Sequence, residues 1–545
     1  MTNRIPSIDR RGFLGGLGAA GLGAGALGAA GLSAFPGAAL AQGRRNALLI
    51  GLDIGDSITF DPARLAQYSS PMTLKAVYDT LITMAPGDYI NLKPNLATSW
   101  EYRADGKAVR FKLRQGLKFA SGNPVRAEDV KWSIERVINL KDQPAQYIAH
   151  VQGVDIVGAD TVDVVLKDPT QPILTILAAP SFAIMDSKLL ATQGATAAAD
   201  AKDADKATTW LNGNSAGSGP YSLTAWERNQ QIQMVRNANY WGEKPGFERV
   251  VIRHMSESAA QLLALKRGDI DVAFNLIPEQ IATIKGDPQI DLIGTASLDY
   301  IYMAVSENAE ANPALNKKQN RHAIGCAMDY DGIINSLIGG SAVRPANFLP
   351  VGVNGATAET TKEIGFKQDL DRAKKLLAEA GNPDGFAFEL TYSNNAIAGV
   401  SYQNLAQKLQ ADLARVGIKA NLNPIDQVNL RTLYNQGKLQ AVLTFWNPPA
   451  VENQLWASAT VNRVAKRVHW TPPADMMKLV DDASAERDLG KAAALWRTYQ
   501  QRMVDAAHLF VLIQPVYQIA VRKTVTGFKP TAAGWMAELG GAKPA

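Results

Sequence analysis

The pattern of apolar and polar positions in the first half of the chain predicts an α+β unit. Residues 109–114 alternate strictly between apolar and polar side chains, and residues 162–166 repeat this period of a half-buried strand. A helix predicted to begin at Ala127 carries its apolar residues on one face. We therefore expect an α+β unit over about residues 76–217, in which the polar residues 192–208 form an exposed insertion.

The pattern over residues 386–446 predicts a different kind of sheet. Residues 386–392 are predicted to form a strand, and the helix that follows, with apolar residues along one face, ends at Gly417. A second strand leads into a second helix that ends at Gly437, and Ala441–Trp446 is a third, apolar strand. Alternating strands and helices at this spacing predict a parallel α/β sheet.

The chain begins with features that are typical of an export signal. The pair Arg10-Arg11 precedes residues 12–35, which carry no charge, and Ala39 and Ala41 provide the small side chains that signal peptidases require. Paired arginines before a weakly hydrophobic segment indicate the twin-arginine export route. We expect residues 1–41 to be a twin-arginine signal peptide that is cleaved after Ala41, which leaves a soluble periplasmic protein.

The alternative for this segment is an uncleaved membrane anchor. Residues 12–35 are long enough to span a bilayer, but they consist mostly of Gly and Ala, and Gly is a poor helix former. A lipid anchor would need a cysteine just after the apolar stretch, whereas the one cysteine is Cys326. The sequence therefore favours the cleaved signal.

The composition indicates a globular protein but points to no particular chemical activity. The 545 residues are 46% hydrophobic and 20% charged, which is ordinary for a globular protein of two or more domains. The formal net charge is +5, but basic and acidic residues are interspersed, so nothing indicates nucleic-acid binding. A single cysteine forms no internal disulfide, so stability in an oxidising compartment must come from the core.

The motifs that look catalytic lack the context that their chemistry needs. Residues 16–21 match the dinucleotide fingerprint, but they lie inside the export signal. Residues 213–217 match the nucleophile elbow around Ser215, yet a turn and a strand follow where a helix is required. The five histidines are scattered, so we expect no metal site. Residues 44–61 lack the glycine spacing of a flavin or nicotinamide domain, so we expect no cofactor. A binding protein is favoured, and an exported serine hydrolase that uses Ser215 is the alternative.

Several segments in a fixed order resemble the extracytoplasmic solute-binding proteins of family 5, the peptide/nickel group of ABC importers. The resemblance extends from about residue 53 to about residue 529. The segments are Leu96-Ala97-Thr98-Ser99-Trp100-Glu101 with Phe111-Lys112-Leu113-Arg114-Gln115-Gly116, Gly217-Ser218-Gly219-Pro220-Tyr221 with Asn239-Tyr240-Trp241, Leu265-Lys266-Arg267-Gly268-Asp269-Ile270-Asp271, 321–329, and Ala373-Lys374-Lys375-Leu376-Leu377-Ala378-Glu379-Ala380-Gly381.

The resemblance implies an α/β fold of the periplasmic binding protein type (type II, large class), with two lobes, a hinged cleft and an extra small α+β domain. The first lobe would be discontinuous, with residues 42–75, 218–300 and 515–545. The inserted domain would be 76–217 and the second lobe 301–514. Such a protein is expected to be monomeric, to capture a solute in the cleft and to deliver it unaltered to an inner-membrane ABC permease. A periplasmic chaperone-like peptide binder is a further alternative.

The resemblance also implies which residues contact the solute. Three regions recur: the loop after the first strand, the loop after a strand of the second lobe, and the end of the apolar strand. Trp446 is the strongest candidate, because an indole offers a flat apolar wall and an N–H donor, although it could equally be a core residue. The residues in these regions are Gln67, Tyr68, Ser69, Tyr392, Asn394, Asn395, Trp446 and Asn447.

Two departures from the family pattern bear on the solute. Peptide-binding members place an Asp for the α-ammonium group where this chain has Pro449, and dipeptide-binding members place an Arg for the carboxylate where it has Ile397. Glu452 and either Arg344 or Arg431 could substitute, but we expect all three on the solvated surface. A peptide is therefore one candidate solute, and a glycoside, an opine-like compound, a modified peptide or a chelate are others.

Overall fold

A mixed β-sheet forms the framework of the structure, a computed structural model that describes residues 46–65, 69–168, 170–394, 396–397, 400–446, 450–531 and 537–545. The strands of the structure are β1 (Ala47–Leu52), β2 (Ile82–Met84), β3 (Leu92–Pro94), β4 (Ala97–Tyr102), β5 (Ala108–Leu113), β6 (Val151–Gly158), β7 (Thr161–Leu166), β8 (Tyr221–Glu227), β9 (Gln231–Arg236), β10 (Arg249–His254), β11 (Val272–Ala273), β12 (Ile290–Ala296), β13 (Tyr300–Val305), β14 (Ala342–Val343), β15 (Ala387–Ser393), β16 (Ala396–Ile397), β17 (Val400–Ser401), β18 (Lys419–Ile425), β19 (Ala441–Trp446), β20 (Leu509–Arg522), β21 (Val525–Thr526), β22 (Lys529–Pro530), β23 (Ala537–Glu538) and β24 (Lys543–Pro544). In the mixed sheet the strand order is β18-β15-β19-β13-β20-β11-β1-β10-β9-β8, and β12 and β14 also pair with β20.

Helices pack around the mixed sheet and around the smaller sheets of the structure. The longer ones are α1 (Ser70–Val77), α2 (Ala127–Leu140), α3 (Ser258–Arg267), α4 (Pro278–Ile284), α5 (Lys318–Ala327), α6 (Ala358–Ile364), α7 (Leu370–Glu379), α8 (Tyr402–Ala414), α9 (Gln427–Asn435), α10 (Ala474–Ala485) and α11 (Leu489–Ala506). Shorter helical turns lie at Pro62–Arg64, Gln143–Ile148, Leu174–Leu177, Pro180–Phe182, Ser187–Ala191, Ala201–Ala204, Thr208–Leu211, Pro313–Asn316, Tyr330–Gly332 and Ile333–Leu337. Asn453–Ser458, the π-helix Ala459–Val464 and Ala465–Arg467 follow one another directly, and we call them the 453–467 segment.

The parallel α/β unit that the sequence predicts is confirmed. Strand β15 pairs in parallel with both β18 and β19, and helices α8 and α9 provide the crossovers. Gly417 and Gly437 end these helices with φ values of 84° and 69°, which a residue without a Cβ adopts at little cost. Strand β19 pairs antiparallel with β13 on its other side, so the complete sheet is mixed.

The predicted α+β unit is also present. Strands β4, β5, β7 and β6 form a separate antiparallel sheet in that order, and α2 packs against it. Val109, Phe111, Val162 and Val164 are fully buried in its core, which is the side of the strands that the alternating pattern assigns to the interior.

The prediction that residues 192–208 form an exposed insertion is wrong in part. Ala201 and Ala207 are fully buried, and so is the side chain of Asp205. Asp205 is buried because the guanidinium of Arg136, on α2, donates hydrogen bonds to both of its oxygens at 2.8 and 3.0 Å. The polar composition of this segment therefore gave no sign that Asp205 fixes it to α2 through Arg136.

Strand β20 links the two ends of the mixed sheet. Its first part, up to Ile513, pairs with β13, and its second part, from Val516, pairs with β12. The chain between β12 and β13 crosses beside it, since the Ser297 amide donates to the Pro515 carbonyl at 2.9 Å. Two adjacent segments thus join the two ends of the sheet.

Apolar side chains fill separate cores on either side of this crossing. One cluster contains Leu390, Leu405 and Leu443, and another contains Leu48, Ile50 and Val250. Among the described residues, no helix combines the length and the apolar character that a membrane crossing needs.

Candidate functional site at the end of strand β19

Trp446 lies where β19 leaves the sheet. The strand is buried from Ala441 to Thr444, and its last two residues, Phe445 and Trp446, become accessible. The Trp446 ring packs against Phe348, with 5.7 Å between the ring centroids. Its Nε1 is buried, and no hydrogen-bond partner for it lies among the described residues. The strand therefore delivers an indole with an unused N–H donor to the edge of the sheet.

A cavity of about 320 Å³ adjoins this tryptophan. Its wall combines the end of β19 with side chains from α9 and from the 453–467 segment. Tyr147, which belongs to the predicted inserted domain, also lines it. The cavity is thus formed by two parts of the chain that are about 300 residues apart, as is typical of a cleft rather than of a surface dimple.

Arginine and aromatic side chains dominate the cavity wall. The guanidinium of Arg463 lies 5.2 Å from the centroid of the Trp446 ring, and that of Arg467 lies 4.9 Å from the Tyr434 ring. The hydroxyl oxygens of Tyr434 and Tyr302 are 3.2 Å apart. Burial raises the pKa of both tyrosines, so they stay neutral hydrogen-bonding groups.

Glu452 is not on the solvated surface, which corrects the sequence-based prediction. Its carboxylate accepts a hydrogen bond from the Thr175 hydroxyl and another, at 3.3 Å, from the Gln454 amide at the start of the 453–467 segment. Burial raises the pKa of Glu452, and these hydrogen bonds oppose the effect. Thr175 belongs to the predicted inserted domain, so Glu452 joins that domain to the region of the cavity.

Two further contacts join the predicted inserted domain to the region of the cavity. Gln454 donates to Gln171 at 2.6 Å, and Arg487 donates to the Tyr102 hydroxyl at 2.8 Å while its guanidinium covers the Tyr102 ring at 3.8 Å. The inserted domain is therefore held against the 453–467 segment and its neighbours by polar contacts as well as by packing.

The two basic candidates also differ in their surroundings. Arg344 is not on the solvated surface either, because its guanidinium covers the Tyr330 ring at 4.0 Å, and burial lowers the pKa of Arg344. Arg431 is exposed, as expected, but its side chain lines the cavity. Of the two, only Arg431 is placed next to Trp446.

The remaining predicted contact residues divide into three groups. Ser69 is buried, and its hydroxyl hydrogen-bonds to Asp56 and Ser57. Tyr392 is 3% exposed and packs in the core beside β15, whereas Asn394 is exposed just beyond the end of that strand. Outside the described residues lie Gln67, Tyr68, Asn395, Asn447 and Pro449.

Ser215 shows no arrangement that would activate it as a nucleophile. Its hydroxyl accepts a hydrogen bond from the Leu223 amide at 3.0 Å, and the chain continues into strand β8 rather than into a helix. Within the described ranges, no group of three histidine, cysteine or acidic residues is arranged to hold a metal ion.

Sequence reasoning missed Arg463, Arg467, Tyr434 and Tyr147 as residues around Trp446. The spacing of the two arginines, four residues apart on one helical segment, is the only local signal for the pair. A π-helical stretch such as Ala459–Val464 is frequent at functional sites, but it is not legible in the sequence.

Comparison with known proteins identifies the family. The profile of the bacterial extracellular solute-binding proteins, family 5 (middle region), matches residues 91–462. The chain belongs to this family of solute-binding proteins.

Individual relatives are similar to this protein over nearly the whole length of the chain. The probable D,D-dipeptide-binding periplasmic protein DdpA of Escherichia coli K12 is 28% identical over 492 residues, covering 89% of this chain and 91% of DdpA. The di/tripeptide-binding protein 2 of Pseudomonas aeruginosa is 24% identical over 525 residues, and the match covers 91% of this chain and 94% of the Pseudomonas protein. The structure of HbpA2 from Haemophilus parasuis superposes with a TM-score of 0.78 at 22% identity, covering 92% of this chain and 100% of HbpA2.

These findings confirm the predicted family and the two-lobed periplasmic binding protein fold. They also confirm the predicted class, a substrate-binding subunit of an ABC importer. The family consists of solute-binding proteins rather than enzymes.

Proposed function

We propose that this protein captures a peptide or peptide-like solute in the cleft beside Trp446 and delivers it unaltered to an inner-membrane ABC permease. The observation that carries the proposal is the cavity of about 320 Å³ at the end of β19, which the second lobe and Tyr147 of the inserted domain share. The peptide ligands in the names of the relatives DdpA and di/tripeptide-binding protein 2 support this solute class.

The proposed lobes are residues 42–75, 218–300 and 515–545 for the first, with 76–217 inserted, and 301–514 for the second. The change of partner within β20 supports the two boundaries at 300 and 514. Gln514 ties the crossing segments together, since its Nε2 donates to the Ser297 carbonyl at 2.6 Å and to the Val351 carbonyl at 3.0 Å. Two short segments beside each other are the usual form of a hinge.

Capture follows from contacts that exist only when the lobes are together. A solute that touches both sides of the cavity stabilises the closed form by the difference between its affinities for the closed and open forms. We assign the contact of Glu452 with Thr175 and that of Arg487 with Tyr102 to this closed form. The permease would then distinguish the loaded protein by its shape.

The polar contacts to the solute are proposed to come from the loops around the cavity. Asn394 is exposed at the end of β15, in a position to face the cleft. Gln67, Tyr68, Asn395 and Asn447 would complete this set, with Trp446 as the flat wall. Ser69 and Tyr392 would act through packing, because both are buried.

The route to the periplasm is also part of the proposal. The protein would be exported folded by the twin-arginine machinery, cleaved after Ala41, and monomeric. Mass spectrometry of the protein from a periplasmic extract tests the cleavage site, and an N-terminus other than Gln42 would contradict it.

A thermal-shift screen of the mature protein against a solute library tests the function. A ligand at a hundred times its Kd stabilises the folded protein by about 2.7 kcal/mol. For the best solute, Trp446→Ala should weaken binding by at least about tenfold. Trp446→Phe is the matched control, because it keeps a ring against Phe348 and should retain most of the affinity. Equal affinity of the Ala variant and the wild type would contradict the assignment of the site.

A further inference from the structure

The cavity beside Trp446 is strongly asymmetric in charge. Arg431, Arg463 and Arg467 line it, and none of the described residues in its wall is acidic. None of the three arginines forms an ion pair within the described part of the chain. Some other arginines in the protein are paired with carboxylates, as Arg321 is with Glu307 at 3.3 Å. Three cations therefore lie at one place without an acidic partner among the described residues.

Two of these cations are held by aromatic rings instead of by carboxylates. Arg463 lies over Trp446 at 5.2 Å and Arg467 over Tyr434 at 4.9 Å. Arg467 also hydrogen-bonds to the Tyr434 side chain. A cation–π contact does not occupy all the N–H donors of a guanidinium, and these donors are the groups that bind an oxyanion in a bidentate manner. The π-helical stretch Ala459–Val464 leads directly into the turn that carries Arg467.

Glu452, the acidic candidate that the sequence offers, forms its hydrogen bonds elsewhere. Glu452 accepts hydrogen bonds from the Thr175 hydroxyl and the Gln454 amide, and it does not line the cavity. A solute with a free ammonium group would therefore meet three arginines without an acidic partner in the cavity wall. Such a group is costly to bury unpaired, whereas an oxyanion would satisfy the arginines.

From this geometry we infer that the solute carries an anionic group, which binds to Arg463 and Arg467, and a flat apolar part that packs on the aromatic wall. The inference rests on the proposed function and specifies its substrate class: a peptide with a blocked amino end, or a non-peptide carboxylate, rather than a free zwitterionic dipeptide. The arginines thereby take the place of the carboxylate-binding Arg that the family pattern has where this chain has Ile397.

A library sorted by charge tests the inference with the mature protein. The probes are N-acetyl dipeptides, their C-terminal amides, the same dipeptides with free amino ends, and aromatic carboxylic acids without a peptide bond. Thermal shifts should be largest among the anionic members. Preference for acetylated peptides or for aromatic acids then identifies the source of the carboxylate. Larger shifts with amides, or with free dipeptides, overturn the inference.

Charge-removing variants test which residues are responsible. For the best anionic probe, Arg463→Gln/Arg467→Gln should raise the Kd by roughly tenfold to a hundredfold, as expected for the loss of charge-assisted hydrogen bonds. Lys466→Gln removes the same charge from the exposed position between them and should leave the Kd unchanged. Equal losses in both variants would show a general effect of net charge and would overturn the assignment.

The two levels of the proposal fail in different ways. If neutral or cationic members bind and the anionic ones do not, the anionic site is wrong while solute capture stands. If no member of any charge class shifts the melting temperature, both the anionic site and the proposed capture are contradicted.

Discussion

Two arginine sites in this protein show opposite ways of holding a guanidinium. Arg136 is fully buried and donates to Asp61 at 2.7 and 2.8 Å and to Asp205 at 2.8 and 3.0 Å. Arg463 and Arg467 lie beside an open cavity, on aromatic rings and without a carboxylate among the described residues. The guanidinium of Arg136 is fully paired with carboxylates of the protein, whereas those of Arg463 and Arg467 keep N–H donors that a ligand could use.

The difference separates a structural role from a binding role. Asp61 precedes α1, Arg136 lies on α2, and Asp205 lies in the segment 192–208, so the buried triad ties the inserted domain to the proposed first lobe. Because every partner of Arg136 belongs to the protein itself, this site leaves no group free to bind a solute. Among the described residues the cavity arginines form no comparable pairing, and we attribute their presence to the solute.

The largest effect is expected from breaking the buried triad. Arg136→Met should destabilise the protein by roughly 3–5 kcal/mol, because it leaves the buried Asp205 without a cation and Asp61 with only the more distant Arg64, at 3.8 Å. Urea unfolding followed by circular dichroism measures the change. Arg502→Gln is the matched control, since Arg502 pairs with Asp475 at the surface and such pairs contribute little. A similar loss in both variants would contradict the structural role of the triad.

A smaller effect on binding is expected from salt. The affinity for an anionic solute should fall by roughly threefold to tenfold between low and high ionic strength, because the cavity arginines are accessible to screening. The buried triad is shielded, so the unfolding midpoint should change much less over the same range. Titration calorimetry at several salt concentrations measures the affinity. An affinity independent of salt would mean that the arginines do not pair with the solute.

The smallest effect is expected at Glu452, the contact between the inserted domain and the 453–467 segment. Burial raises the pKa of Glu452 above its ordinary 4.5, so the folded protein retains a proton that the unfolded chain has lost. Stability from this group is therefore full below pH 4.5 and falls as the pH rises through the raised value, by at most about 1.4 kcal/mol per pH unit. Glu452→Gln should lack this fall in urea titrations across that range. An identical pH profile in both proteins would contradict the raised pKa.

Local sequence patterns predicted the helices and strands well, because residues that are close in sequence determine where these elements form and end. Helix ends at Gly417 and Gly437, the apolar run of β19 and the alternation in β5 are legible within a few residues. The family resemblance added the two-lobed architecture, which no local pattern contains.

The pairing of charges could not be predicted in the same way. Asp205 looked like part of a solvated insertion because its partner, Arg136, is 69 residues away. Glu452 and Arg344 looked like surface residues for the same reason, since Thr175 and Tyr330 meet them only in the folded protein. Trp446 was identified as a candidate, but the arginines around it depend on how the 453–467 segment packs beside β19.

Small-angle X-ray scattering of the mature protein, alone and saturated with the solute that gives the largest thermal shift, tests the central claim most directly. Capture between hinged lobes predicts a smaller radius of gyration for the saturated protein, with the solute recovered chemically unchanged. Identical scattering curves at saturation, or a solute altered by incubation with the protein, would contradict it.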